Sequence, residues 1–275
     1  MAFRVAGTIS TARREGRSLQ RATHRIAHKP VSMARSKRES DEGDHIVLDI
    51  LIVAPHPDDA EIGMGGSIAL LRAEGYRVGV LELTDGEPTP LGSCDIRRRE
   101  TEAASRVLGI EWRRCLGLPN RNLEHTIDAR WAVAGVLREV RPRLVFAPYW
   151  EDAHPDHVAA SGLVDAARFW AKLTKSDIPG EPHWPQRIFY YFSLHLHMPE
   201  KPSFVLNISD HIETKLQAIQ CYESQFGSRS SQAGSGVIDD LRARARFWGW
   251  TIGSSYGEPF ASREPIGLAG LRLLI

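Results

Sequence analysis

Apolar residues run almost unbroken from Ile46 to Ala54, interrupted only by Asp49, and stop at Pro55. A β-branched run with no polar alternation predicts a strand covered on both faces. Arg77–Thr84 and Leu144–Pro148 read as further strands of the same kind. Between them the apolar positions take helical spacing: Ile68–Glu74 ending at Gly75, Arg97–Leu108 closed by Gly109, and Trp131–Val140. Gly63–Ser67 reads as a flexible turn ahead of the first helix. Strands alternating with helices over short connections predict an α/β domain, a mainly parallel sheet with helices on both faces. Beyond residue 160 the pattern loosens, with strands at Ile188–Leu194 and Phe204–Ile208 and one helix at Ile212–Phe226. No internal repeat is visible, and no apolar stretch approaches the roughly 20 residues needed to span a membrane.

Composition narrows the class. Of 275 residues, 42% are hydrophobic and 25% charged, which excludes a wholly disordered, collagen-like or polytopic membrane protein. Lysine and arginine number 35 against 34 acids, a balance that gives no reason to expect a nucleic-acid partner. Cys94, Cys115 and Cys221 are widely spaced and form no CxxC. They imply neither a disulfide framework nor a thiolate metal site, and they suit a reducing cytoplasm.

The charge is unevenly spread. Residues 1–38 hold ten lysines and arginines but one acid, Glu15, and an acidic stretch from Glu39 to Asp44 follows. Residues 1–44 therefore read as a basic, disordered extension outside the fold, and 45–275 as the single folded domain. The leader lacks the apolar segment of an export signal. It looks superficially like an organellar transit peptide, but a disordered tail or an upstream start codon is the plainer reading.

Two motifs carry chemistry. Pro55-His56-Pro57-Asp58-Asp59-Ala60-Glu61 follows the first strand, and Glu151-Asp152-Ala153-His154-Pro155-Asp156-His157 follows the strand ending at Pro148. In a parallel sheet both strand ends open on the edge where ligands gather, so the two segments can converge. Carboxylates crowded together repel, and a cation relieves that cost. Imidazole and carboxylate ligands without thiolates suit zinc, and also iron or manganese. His56, Asp59 and His157 would supply the three ligands of a catalytic site, Asp58 would take a proton from an activated water, and His154 would act as acid or oxyanion stabiliser. Spacing alone does not decide between Asp58 and Asp59 as the ligand, and either could be a helix N-cap. Gly63-Met64-Gly65-Gly66 invites a dinucleotide reading, but Ile68 stands where that fingerprint needs glycine.

The run Ala54–Gly63 with His154-Pro155-Asp156-His157 resembles the LmbE/PIG-L-like metal-dependent N-acetylglucosaminyl deacetylases. Phe189-Tyr190-Tyr191, Tyr222–Phe226, Arg244–Gly249 and Tyr256–Phe260 look like the bacillithiol-biosynthesis branch, whose substrate is N-acetylglucosaminyl malate. The likeness spans about residues 46–266. It implies a Rossmann-like three-layer α/β/α catalytic domain, a Zn2+ site (Fe2+ also accommodated) at His56, Asp59 and His157, and Asp58 as general base. It further implies His154 as acid or oxyanion stabiliser, Asp156 orienting His154, and Arg97 and Arg121 facing the substrate. The implied protein is a cytoplasmic hydrolase of a small amino-sugar conjugate, compatible with a homo-oligomer and without a membrane or nucleic-acid partner. Two positions depart from the branch: Ala153 replaces an arginine and Asn120 an aspartate. Both bear on the group attached to the sugar, so a mycothiol precursor, an antibiotic glycoside or a non-catalytic sugar-binding protein are the alternatives.

Overall fold

The computed structural model describes residues 46–195, 201–227 and 236–268; the expected extension at 1–44 lies outside them. Asp44–Ile275 forms one unit. Its elements are β1 (Ile50–Ala54), α1 (Asp59–Ala73), β2 (Val78–Glu82), α2 (Cys94–Leu108), β3 (Trp112–Cys115), α3 (Ile127–Val140), β4 (Leu144–Pro148), α4 (Pro155–Ala171), β5 (Arg187–Tyr191), β6 (Phe204–Asn207), α5 (Ile212–Gln220), α6 (Glu223–Phe226), α7 (Val237–Thr251) and β7 (Gly257–Ala261). The strands lie in the order β3-β2-β1-β4-β5-β7-β6. The first five in that order are parallel, and β7 runs antiparallel to both β5 and β6.

The unbroken apolar run of β1 is explained by what covers it. Leu51 and Val53 belong to the core that includes residues of α3 and α4, and Ile50, Ile52 and Ala54 to the core shared with α1, α2 and α5. All five are buried. Helix starts fall earlier than apolar periodicity indicates because capping side chains set them. Ser93 Oγ accepts the Ile96 N–H at the start of α2, and Thr126 Oγ1 accepts the Ala129 N–H at the start of α3. Gly109, at φ 67°, ends α2 as expected.

Three departures from the sequence reading have physical causes. Gly63–Ser67 is no turn: it lies inside α1, which breaks at Met64 (φ −149°, ψ 26°) and resumes. The glycines there allow close approach, since a Cβ on Gly63 would strike the Tyr191 ring and one on Gly66 would meet Ile208 Cδ1 at 2.6 Å. The helix expected over Ile212–Phe226 divides at Cys221–Tyr222, where the Tyr222 hydroxyl turns inward to donate to Glu61 Oε1. Strand β7 escaped notice because Gly257-Glu258-Pro259 carries no strand signal; Pro259 is tolerated because β5 pairs with β7 only at Phe260 and Ala261.

Candidate active site

Strands β1 and β4 are parallel neighbours, although β2 and β3 follow β1 on its other side in the sheet. The chain therefore leaves β1 and β4 in opposite directions, which opens a crevice beyond their carboxyl ends. The first motif fills the turn from β1 into α1, and the second straddles the start of α4. His154 caps α4 by accepting the Asp156 N–H on Nδ1 at 3.2 Å, with Pro155 in the first helical turn. The three rings of His56, His154 and His157 meet here, their centroids 4.8 to 5.5 Å apart.

Asp59 is the hub of the cluster. Its Oδ2 accepts the His56 backbone N–H at 3.0 Å, lies 3.1 Å from His56 Nδ1 and 3.3 Å from His157 Nε2. His157 is almost wholly buried, its Nδ1 3.1 Å from Asp152 Oδ2, and its Nε2 has no hydrogen-bond partner among the described residues. Asp152 is itself fixed by the Ser193 hydroxyl and by the His154 N–H. A carboxylate on the far nitrogen sets the tautomer and ring orientation of a ligating histidine.

Among the described residues, two sets of three side chains bring ligand atoms within 4.8 Å of one another: His56, Asp59 and His157, and His56, His154 and Asp156. The first fits a divalent cation better. The unpartnered, buried His157 Nε2 faces Asp59 within it, whereas Asp156 is already engaged. Asp156 Oδ2 accepts the Arg121 N–H at 2.7 Å and lies 3.1 Å from His56 Nε2, and its Oδ1 accepts the Leu123 N–H at 3.2 Å. Electrostatics agree. Burial opposes charge on His157, but the Asp59 and Asp152 carboxylates overcome it and hold its pKa at about 10. Burial would likewise raise Asp59, yet His157 and His56 keep it well below the usual carboxylate range. The carboxylates that favour positive charge on His157 would favour a cation there as well.

Asp58 stands apart. It occupies the left-handed region (φ 98°, ψ −27°), which costs a non-glycine residue about 1–3 kcal/mol and recurs where function demands it. The buried Arg97 holds it there: one Nη2 donates to the Pro57 carbonyl and, at 3.1 Å, to Asp58 Oδ2. Burial pushes the Asp58 carboxyl up to about 7, with Arg97 pulling the other way. A buried carboxylate poised near neutrality suits a general base.

His56, Asp58, Asp59, Arg97, His154 and His157 line a cleft of about 770 Å³, whose wall also includes Asn120, Arg121, Ala153, His195, Gln225 and Asp240. The site residues expected from sequence all come together here, but not in equal roles. Asp156 touches His154 through its backbone N–H, while its carboxylate serves His56 and the 121–123 backbone. Arg97 grips the Asp58 turn, and the Arg121 guanidinium donates to the Pro88 carbonyl at 2.7 Å.

Three contributors were missed. Asp152 sits inside the second motif, two residues before His154, a spacing that could have flagged it. Ser193 and His195, whose ring lies 5.6 Å from that of His154 and 5.5 Å from that of His157, come from the loop after β5. No spacing rule reaches them.

The PIG-L family model (GlcNAc-PI de-N-acetylase) matches residues 51–168, which contain both motifs. A diacetylchitobiose deacetylase of Thermococcus kodakarensis is 32% identical over 77% of this chain and 82% of its own length. A probable N-acetyl-α-D-glucosaminyl L-malate deacetylase 2 of Bacillus anthracis is 28% identical over 66% and 84%. A 4-oxalmesaconate hydratase of Pseudomonas putida is 30% identical over 64% and 73%. Among solved structures, the conserved protein TT1542 of Thermus thermophilus superposes with a TM-score of 0.75 at 41% identity, covering 81% of this chain and 98% of that one.

Proposed function

The chain belongs to the PIG-L family of GlcNAc-PI de-N-acetylases, and from that premise we propose that it hydrolyses the acetamide of an N-acetylglucosamine-containing small molecule. The observation that carries this reading is the separation of labour between adjacent carboxylates: Asp59 against His56 and His157, Asp58 on Arg97. A divalent cation at His56, Asp59 and His157, zinc in our reading, would supply Lewis acidity to the amide carbonyl and to a water molecule.

The chain's own residues do the rest. Asp58 takes a proton from the attacking water as its oxygen forms a bond to the acetyl carbon. His154, with Nδ1 tied to the Asp156 N–H, turns its remaining ring nitrogen to the developing charge at the carbonyl oxygen. The C–N bond then breaks, the proton held by Asp58 passes to the departing nitrogen, and acetate and a free amino sugar are released. Water supplies the oxygen and both protons, so no further reactant is needed.

For the group attached to the sugar, a neutral saccharide is the first reading. Ala153 offers no charge to an acidic substituent, Arg121 turns one Nη2 to the Pro88 carbonyl, and Asp240 stands on the cleft wall. The relative acting on diacetylchitobiose points the same way. N-Acetylglucosaminyl malate is the second reading, supported by the Bacillus relative and by Arg97 at the cleft.

The test is acetate and primary-amine release from diacetylchitobiose, N-acetylglucosaminyl malate and N-acetylglucosamine by the cation-loaded protein. Preference for the uncharged disaccharide is expected. Preference for the malate conjugate reverses the order of the two readings. No acetate from any of them, alongside water addition to an unsaturated acid of the kind handled by the hydratase relative, overturns the deacetylase reading.

A further inference from the structure

Two motifs of the sequence, one around Glu258 and one at the glycines of α1, have no part in the chemistry above, yet they meet. In an unbroken α-helix the Gly66 N–H would reach the Ile62 carbonyl four residues back. At the Met64 break those two groups address a buried ion pair brought by other elements. Gly66 N–H donates to Glu258 Oε1 at 3.0 Å, Lys215 Nζ lies 2.5 Å from the same oxygen, and Lys215 Nζ donates to the Ile62 carbonyl at 2.7 Å. The second carboxylate oxygen accepts the Ser67 N–H at 2.6 Å. Glu258 comes from β7 and Lys215 from α5, and both are buried, at 2% and 3% exposure.

The pair is thus interposed between donor and acceptor of one helical hydrogen bond. Glu258 caps the second segment of α1 as an anion at a helix N-terminus, and Lys215 takes the orphan carbonyl at the end of the first. That first segment, Asp59–Gly63, opens with the hub carboxylate of the site and follows directly on Asp58. The ion pair therefore helps set its direction, together with Arg113 and Tyr222 on Glu61. Two buried charges are an expensive way to join a helix, because apolar side chains would do the same packing without the desolvation cost.

We propose that Lys215 and Glu258 are positioning residues for the metal centre: by spanning the break in α1 they aim Asp59 at His56 and His157. The inference rests on the metal reading of those three residues. The pair touches neither the cation nor a ligand side chain; it acts through the backbone of Ile62, Gly66 and Ser67.

The test is cation binding by chelated protein, read as the dissociation constant for zinc by competition with a chromophoric chelator, together with thermal melts of the cation-free chains. Glu258→Gln keeps the shape and one acceptor for Gly66; Lys215→Met keeps the length and leaves Glu258 on the N–H groups. Each is expected to fold and to weaken zinc binding by about 10- to 100-fold, with the double variant no worse than the weaker single one because the two act as a unit. At saturating zinc kcat should fall while KM stays put, since neither residue lines the cleft. Zinc constants within twofold of the parent in folded variants overturn the proposal. So does failure of both variants to fold, which would make the pair scaffold only. A parent chain that binds no zinc sinks the metal reading itself, a distinguishable result.

Discussion

Asp58 and Asp59 are neighbours in the chain, yet their carboxylates keep different company: Asp58 Oδ2 lies 3.1 Å from Arg97 Nη2, and Asp59 Oδ2 lies 3.3 Å from His157 Nε2. Consecutive residues diverge this way because Asp58 adopts a left-handed backbone and Asp59 begins a helix. The separation is incomplete, since the Asp59 charge helps raise the Asp58 carboxyl, but each carboxylate has its own basic partner. In the proposed reaction this turn lets Asp59 serve a cation while Asp58 moves a proton.

Replacing Asp58 by Asn tests that division. Asn tolerates the left-handed region better than Ala and keeps the side-chain volume, so the turn should survive. With its proton acceptor gone, kcat should fall by about 10²–10⁴, while zinc content by elemental analysis stays at the parent level. Equal turnover in parent and variant would take Asp58 out of the reaction.

Asp152→Asn removes the negative charge behind His157. Hydrogen bonds from His157 and Ser193 outweigh burial and hold the Asp152 pKa at about 2, so it is ionised at any working pH. Loss of such a partner weakens metal binding by about 10- to 100-fold. Ser193→Ala, which leaves the charge and removes one donor, should cost less. An unaltered zinc constant in Asp152→Asn would show that the ring needs no such anchor.

Cation binding should also appear as stability. A ligand at a hundred times its dissociation constant stabilises the folded state by about 2.7 kcal/mol, and a domain of this size gains roughly 2–4 °C per kcal/mol. Thermal melts in zinc against chelator should therefore differ by roughly 5–11 °C. His157→Ala should melt alike in both. A shift that persists in that variant would place the ion elsewhere.

Much of this was legible in the chain. The runs of β1, β2 and β4 carried the sheet because strands buried on both faces are apolar at nearly every position. The paired His-Pro-Asp segments marked the site because carboxylates clustered at strand ends are costly without a purpose. What stayed hidden depends on contacts across long separations. The α1 break reads as a loop because its glycines answer to Tyr191 and Ile208, far along the chain. Edge strand β3, Trp112-Arg113-Arg114-Cys115, lacks an apolar signal because Arg113 reaches inward to the buried Glu61 and Glu82. Ser193 and His195 enter from the loop after β5, where no local pattern signals their company.

The role of Asp156 separates two accounts of the second motif. Were its carboxylate there to orient His154, Asp156→Asn would lower kcat and little else. The hydrogen bonds say otherwise: the carboxylate accepts the Arg121 and Leu123 N–H groups and faces His56, while only the backbone N–H meets His154. An Asn amide offers one acceptor where two are used and turns its own N–H toward a donor. A buried donor left unmatched costs about 1–3 kcal/mol, so the variant should melt lower and the 120–123 segment should loosen. Asn120 and Arg121 on that segment line the cleft, so at saturating zinc KM should rise more than kcat falls. The opposite split, kcat lost with KM intact and the melt unchanged, would return Asp156 to the service of His154.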